Sequence, residues 1–359
     1  MTGSTRDEGR RTRDEAGRSS LRRLRRIGVM TLVPLFSSLV PRPSSLVAQT
    51  HILIISGLGG EARYRESFSK LASTLAEAAN KRLGVPDAEI TWLGEDSVSK
   101  APRYKGQSTK ANIEREVQRL AQRSGANDQV ALVLIGHGSG EGDDAKISLP
   151  GPDLSARDFA QLLGRFTTQR VAFINLTSAS GDMLPVLSAP NRVIITATKS
   201  AFERNESHFG EYFVQAFASD GADTDKDGRV SLLEAFRYAS AETKRLYENE
   251  TRMQTEHPQL DDNGDKTGNP DPDGRTGEGV LARRFFLDAG GSAAARAASN
   301  DPRLAGLYAE KFAIEEQLEA LKRRKSNMSA DAYDDQLEKV LVDLALKARS
   351  IREIEGRKE

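Results

Sequence analysis

The sequence contains no cysteine. That removes disulfides, thiolate metal sites and a cysteine nucleophile, and leaves the compartment open. It also carries no net charge, with 52 Lys and Arg against 52 Asp and Glu. The balance hides an asymmetry: residues 1–48 hold ten arginines and four acidic residues, which leaves 42 basic and 48 acidic residues in the rest. A mildly acidic remainder argues against nucleic acid as the main partner. No apolar run is long enough for a stable membrane span. The best candidate, Ile27 to Val40, is short and broken by Pro34 and serines. No long-period repeat is present. What the 359 residues do offer is enough chain for one large core and an appendage.

The N-terminus speaks to export. Arg22, Arg23, Arg25 and Arg26 precede the apolar run, and Ala48 offers a small residue at a cleavage point. A basic head, a short apolar body and a small-residue exit describe a signal peptide over residues 1–48. The mature protein is then periplasmic or secreted and has no membrane span. An uncleaved anchor and a plain basic tail are the alternatives.

Within a domain placed at residues 49–288, residues 51–250 alternate unbroken apolar runs with amphipathic stretches. His51–Ser56, Glu89–Leu93, Gln129–Ile135, Arg170–Leu176 and Arg192–Thr198 read as strands. Arg65–Leu83, a segment capped by Ser108 or Thr109, one capped by Ser155, Phe209–Ala218 and Ser231–Glu250 read as helices. This alternation predicts an α/β fold with a mostly parallel sheet covered by helices on both faces. Function then collects at loops leaving the carboxyl ends of strands. Residues 258–280 read as loop, and residues 289–300, rich in Gly, Ala and Ser, as a linker. In 301–359, Leu304, Leu307, Ile314, Leu318 and Leu321, then Tyr333, Leu337, Val340, Leu344 and Ile351, step by threes and fours. That pattern predicts an antiparallel helical hairpin with an apolar face for self-association or a partner.

Two strand tips carry the chemistry. One strand ends in Gly136-His137-Gly138-Ser139-Gly140 and the next in Thr177-Ser178-Ala179-Ser180-Gly181. Residues Ile135–Ser139 and Ser178–Gly181 resemble the paired motifs of the caspase–legumain clan of cysteine peptidases, on the legumain side, with Ser178 where the clan has its cysteine. The likeness covers about residues 50–250 and includes Gly57-Leu58-Gly59-Gly60 and Ser108–Ile113. It implies a caspase-like fold and an acid–base role for His137. It also implies an oxyanion site of backbone N–H groups near Gly138, and substrate contacts from Glu61, Arg63 and Ser180.

A serine hydroxyl is far less acidic than a thiol and needs a well-aligned base held by a third group. Asp143, Asp144 and Asp182 lie near the tips, but none stands where the clan would orient the histidine. The expectation is therefore a catalytically silent homologue that binds a peptide or protein ligand. Two alternatives stay open: a hydrolase with Ser178 as nucleophile and His137 as base, and an assembly protein acting through its hairpin.

Residues Asp223–Glu234 fit the twelve-residue EF-hand loop. Asp223, Asp225 and Asp227 supply carboxylates at positions 1, 3 and 5, and Gly228 makes the turn. Arg229 offers its carbonyl, Ser231 a water-holding hydroxyl, and Glu234 a bidentate carboxylate. The implied cofactor is Ca2+. The acidic run Asp261–Asp265 has the wrong spacing for a second such loop.

Overall fold

Strands with no polar interruption cannot face water on either side, and here they form the middle of a sheet. The structure is a computed structural model. It describes residues 49–96, 100–226, 228–275, 277–289, 302–323, 325 and 328–355. Residues 1–48, read above as a signal peptide, Asp227 and residues 290–300, read as linker, lie outside the described residues.

Seven strands build the main sheet: β1 (Thr50–Ser56), β2 (Ile90–Gly94), β3 (Tyr104–Gln107), β4 (Gln129–Ile135), β8 (Arg170–Asn175), β9 (Arg192–Thr196) and β10 (Gln259–Asp261). Their order is β10-β9-β8-β4-β1-β2-β3. Every neighbour pair is parallel except β9 with β10. A second sheet joins the short strands β5 (Gly138–Ser139), β6 (Lys146–Ile147) and β7 (Leu154–Ser155).

Alternate side chains of each central strand enter opposite layers, as the period of two demands. Ile52, Ile54, Val133 and Ile174 pack beneath α1 (Ala62–Lys81), α5 (Phe209–Ala218) and α6 (Leu232–Asn249). Leu53, Ile55, Leu132 and Phe173 pack beneath α2 (Lys110–Arg123) and α3 (Ala156–Leu163). Each such buried Ile, Leu or Phe contributes roughly 1.5–3 kcal/mol over the exposed state.

The expected helix starts are present. Thr109 accepts the Asn112 N–H, and Ser155 and Ser231 form capping boxes with Asp158 and Glu234. The short α4 (Leu184–Leu187) follows the Ser178 turn. At the C-terminus, α7 (Pro302–Arg323) packs against α8 (Ala330–Glu355). Leu304 and Leu307 at the start of α7 meet Ile351 and Ile354 at the end of α8, so the hairpin is antiparallel. Leu341, Val342 and Leu346 on α8 remain exposed. Among the described residues, no helix is long and apolar enough to cross a membrane.

The topology fixes where a site can form. The chain leaves β1 for β2 and β3 on one side, then returns to place β4 on the other. The crevice beyond the carboxyl ends of β1 and β4 is a topological switch point. Gly57 and His137 stand there, with Ser178 one strand over. Three features depart from the sequence reading. Edge strand β3 and the three two-residue strands are too short to show a period, and β10 lies inside the segment read as loop.

Candidate active site

His137 leaves β4 between backbone anchors. Its carbonyl accepts the Ser148 N–H at 3.0 Å, and Gly138 and Ser139 pair with Ile147 and Lys146. Gly138 is sterically required: a Cβ there would lie 2.2 Å from the Ser178 carbonyl oxygen. The half-buried His137 ring packs edge-on against two α1 side chains, Tyr64 at 4.6 Å and Phe68 at 5.0 Å between centroids. Among the described residues the His137 ring makes no hydrogen bond, to Ser178 or to any carboxylate.

Ser178 is buried at the tip of β8, and its Oγ accepts the Gly138 N–H at a long 3.4 Å. A donor of the oxyanion-site type thus points at the hydroxyl itself. Ala179, which follows, is left-handed with φ 51 and only 2% exposed. Its N–H is held by the Glu203 carbonyl at 2.8 Å. A non-glycine residue in this region costs roughly 1–2 kcal/mol and persists only where its surroundings impose it. Ser180 is fully buried, with Oγ 3.1 Å from Thr198 Oγ1. Its hydroxyl is taken up inside the fold. Thr198 Oγ1 also accepts the N–H groups of Ser180 at 2.7 Å and Gly181 at 3.1 Å, so one hydroxyl pins the turn.

Two of the nearby carboxylates, Asp182 and Asp143, are committed elsewhere. Asp182 accepts the Gly142 and Ala201 N–H groups, both at 3.1 Å, and so clasps the loop after β5 to the loop after β9. Asp143 pairs with Arg157. Glu61 and Arg63 are two-thirds exposed and pair with each other at 3.0 Å, while Arg63 also lies over the Tyr64 ring at 4.4 Å. The Gly57–Gly60 loop is held by Glu95, which accepts the Gly59 N–H at 2.9 Å and the Arg65 guanidinium at 3.1 Å. Beside it lies a shallow depression lined by Ser56, Gly57, Arg65, Phe68, Glu95 and Tyr104. Tyr64 and Phe68 wall the His137 ring, Thr198 lies buried under the Ser178 turn, and Phe202, on the loop after β9 that holds the Ala179 N–H, is exposed. Sequence reading missed their roles; only Phe68 carried a signal there, as a member of an apolar helix face.

The acidic loop before α6 gathers Asp223, Asp225 and Glu234, with an oxygen from each within 4.8 Å of the others. Gly228, at position six, has φ 84 and donates to Asp223 Oδ2 at 3.0 Å. Asp223 Oδ1 is buried without a hydrogen-bond partner. Glu234 accepts from Thr224 and Asp225 on one oxygen and from Ser231 on the other. The loop's second half pairs with the segment Phe285–Asp288. Leu232 donates to the Phe285 carbonyl at 2.9 Å. Ser231 bridges Phe286. Arg229 grips Asp288 at 2.6 and 2.9 Å and lies over the Phe286 ring at 3.6 Å. The donors are all oxygens and one is orphaned, which fits a hard cation.

No protein-family model matches the chain, and no curated protein does. Solved structures similar to it include the Drosophila initiator caspase Dronc, at 14% identity over 55% of this chain and 77% of that one, with a TM-score of 0.36. The caspase drICE is 11% identical over 60% and 87%, with a TM-score of 0.37. A Geobacter sulfurreducens protein, GSU0716, is 15% identical over 59% and 92%, also with a TM-score of 0.37. Identities and scores this low say nothing of chemistry; what the site can do follows from its own residues.

Proposed function

We propose that this chain is a caspase/legumain-like peptidase homologue that binds a peptide or protein segment at the carboxyl end of its sheet without cleaving it. The observation that carries this reading is the state of His137. Its ring sits against Tyr64 and Phe68, and among the described residues it has no hydrogen bond to Ser178 and none to a carboxylate. A serine's attack on a carbonyl is assisted by both, and loss of the orienting carboxylate alone costs about 10⁴ in kcat in a serine protease. The exposed Phe202 and the Gly57–Gly60 loop offer apolar and polar contacts for a ligand.

In this reading Ca2+ occupies the loop of Asp223, Asp225, Asp227 and Glu234, with the Arg229 carbonyl and a water on Ser231. It ties the start of α6 to Phe285–Asp288. A solitary loop of weak affinity suits calcium-rich surroundings, in keeping with an exported protein.

The test is turnover of a mixed peptide library with calcium present, comparing the native chain with Ser178→Ala. Neither should cleave, and both should retain bound peptide. Cleavage by the native chain that Ser178→Ala abolishes would establish the second reading, a hydrolase with Ser178 as nucleophile and His137 as base. One observation favours that reading: the left-handed Ala179 directly after Ser178 is the kind of backbone strain that gathers at working sites.

A further inference from the structure

The segment Asp261–Ala282 leaves the edge strand β10 and folds back on itself. Asp261 accepts the Gly264 and Lys266 N–H groups at 3.0 and 3.1 Å. Lys266 is left-handed, with φ 71. The same arrangement joins Asp223 to Gly228 in the loop before α6, where the sixth residue also donates to the first. The twelfth residue of that pattern would here be Pro272, which is why the spacing fails as an EF-hand. The fold supplies a carboxylate from further on. Oxygens of Asp261, Asp265 and Glu278 lie within 4.8 Å of one another.

Glu278 points to a ligand independently of the cluster's charge. It is only 9% exposed. Its Oε2 accepts the Asp262 N–H at 2.8 Å, but its Oε1 is buried with no hydrogen-bond partner. Asp262, next to it, is saturated by the Gly279 and Ala282 N–H groups, each at 2.7 Å. Among the described residues, no lysine, arginine or histidine forms an ion pair with Asp261, Asp262, Asp265 or Glu278. Burial of a carboxylate without a compensating positive charge is costly.

We propose that Asp261, Asp265 and Glu278 form a second cation site, for a hard divalent ion of the calcium type with water completing its shell. An all-oxygen donor set without His or Cys selects calcium over transition metals. The ion closes the loop from β10 to Ala282. That loop abuts the first turn of α6: Leu233 fills the space where Gly274 or Gly279 would carry a side chain, and Arg237 donates to the Pro272 carbonyl at 3.1 Å. The two acidic sites thus flank one helix start from either side. This proposal does not rest on the first loop being occupied.

The experiment is a calcium titration of the full chain by calorimetry, with Glu278→Gln, Asp265→Asn and Glu234→Gln beside the native protein. Asp265 is exposed, so its variant folds even if the buried substitution does not; circular dichroism checks both. The native chain should bind two ions, and each variant should lose one. The calcium-induced rise in melting temperature should shrink in step. Unchanged stoichiometry in both Glu278→Gln and Asp265→Asn overturns the site, and Glu278 is then an acid keeping its proton beside Asp262. One ion bound natively and lost only in Glu234→Gln overturns this site and leaves the first. One ion lost in the Glu278 and Asp265 variants but kept in Glu234→Gln upholds this site and removes the first. No binding at millimolar calcium overturns both.

Discussion

Two histidines stand at opposite ends of the same sheet, and their surroundings could hardly differ more. His51, near the start of β1, is 2% exposed and clamped between Glu89 at 2.5 Å and Asp128 at 3.1 Å. Arg123 reaches the same Glu89 oxygen at 2.9 Å, and the Gln49 and Gly125 N–H groups also donate to Asp128. His137, beyond the end of β4, has two aromatic rings against it and, among the described residues, no carboxylate bonded to it. The apparatus that holds an imidazole for serine chemistry is a carboxylate on its far nitrogen. This chain builds such a pairing, but at the base of the sheet, where it fastens β1 to the segments entering β2 and β4. At the tips, where Ser178 would use it, the described residues form none.

Breaking the base should therefore cost far more stability than breaking the tip. His51→Ala leaves two largely buried carboxylates, of which Glu89 alone keeps a guanidinium partner, and should lower the unfolding free energy by about 3 kcal/mol in urea denaturation. His137→Ala, which loses only edge-on ring contacts at a half-buried position, should cost under about 1 kcal/mol. Equal losses would dissolve the contrast. The base should also show in acid. Burial pushes the Asp128 carboxyl up, but hydrogen bonds from Gln49, His51 and Gly125 outweigh it and bring it below the usual range. A lowered folded value means stability that is complete above the unfolded value near about 3.9 and lost as pH falls through the folded one. The gap between the native chain and Asp128→Asn should narrow as pH drops from about 5 to about 3; a gap constant with pH would remove Asp128 from the clamp.

At the tip, a hydroxyl replaces charge as the fastener. Thr198→Val leaves the buried Ser180 and Gly181 N–H groups without their acceptor and should cost about 2 kcal/mol. Thr198→Ser should restore most of it. If valine is tolerated, the turn is held by its packing, with Gly181 pressed against the Lys199 carbonyl, and not by hydrogen bonds.

The core strands and the capped helices were legible because their signals are local: continuous apolar runs, and a hydroxyl three residues before an acid or amide. The tips were legible as a pair only because His137 and Ser178 end strands that turn out to be neighbours. What escaped was everything fixed by long-range folding. His51 sits in an apolar run and gives no hint of Glu89 or Asp128, 38 and 77 residues away. Thr198 closes a strand like any other threonine. Glu278 lies 17 residues beyond the Asp261 it meets, outside any fixed-spacing motif. Strand β10, three residues long, has no period to read.

The sharpest probe of the tip uses what the chain lacks. Ser178→Cys introduces the only thiol in 359 residues, so any alkylation reports on that position alone. A free thiol near a pKa of about 8.5 reacts slowly at neutral pH, and an adjacent imidazole speeds it by drawing off the proton. With His137 intact, iodoacetamide labelling should be roughly tenfold faster than in the His137→Ala double variant, a difference of about one pKa unit. That outcome would mean the two tips communicate, and that serine, not geometry, silences the site. Equal rates would mean that the Tyr64 and Phe68 rings hold the imidazole out of reach. The tip would then differ from the base in the position of its histidine as well as in its missing carboxylate, and restoring a cysteine would not restore a peptidase.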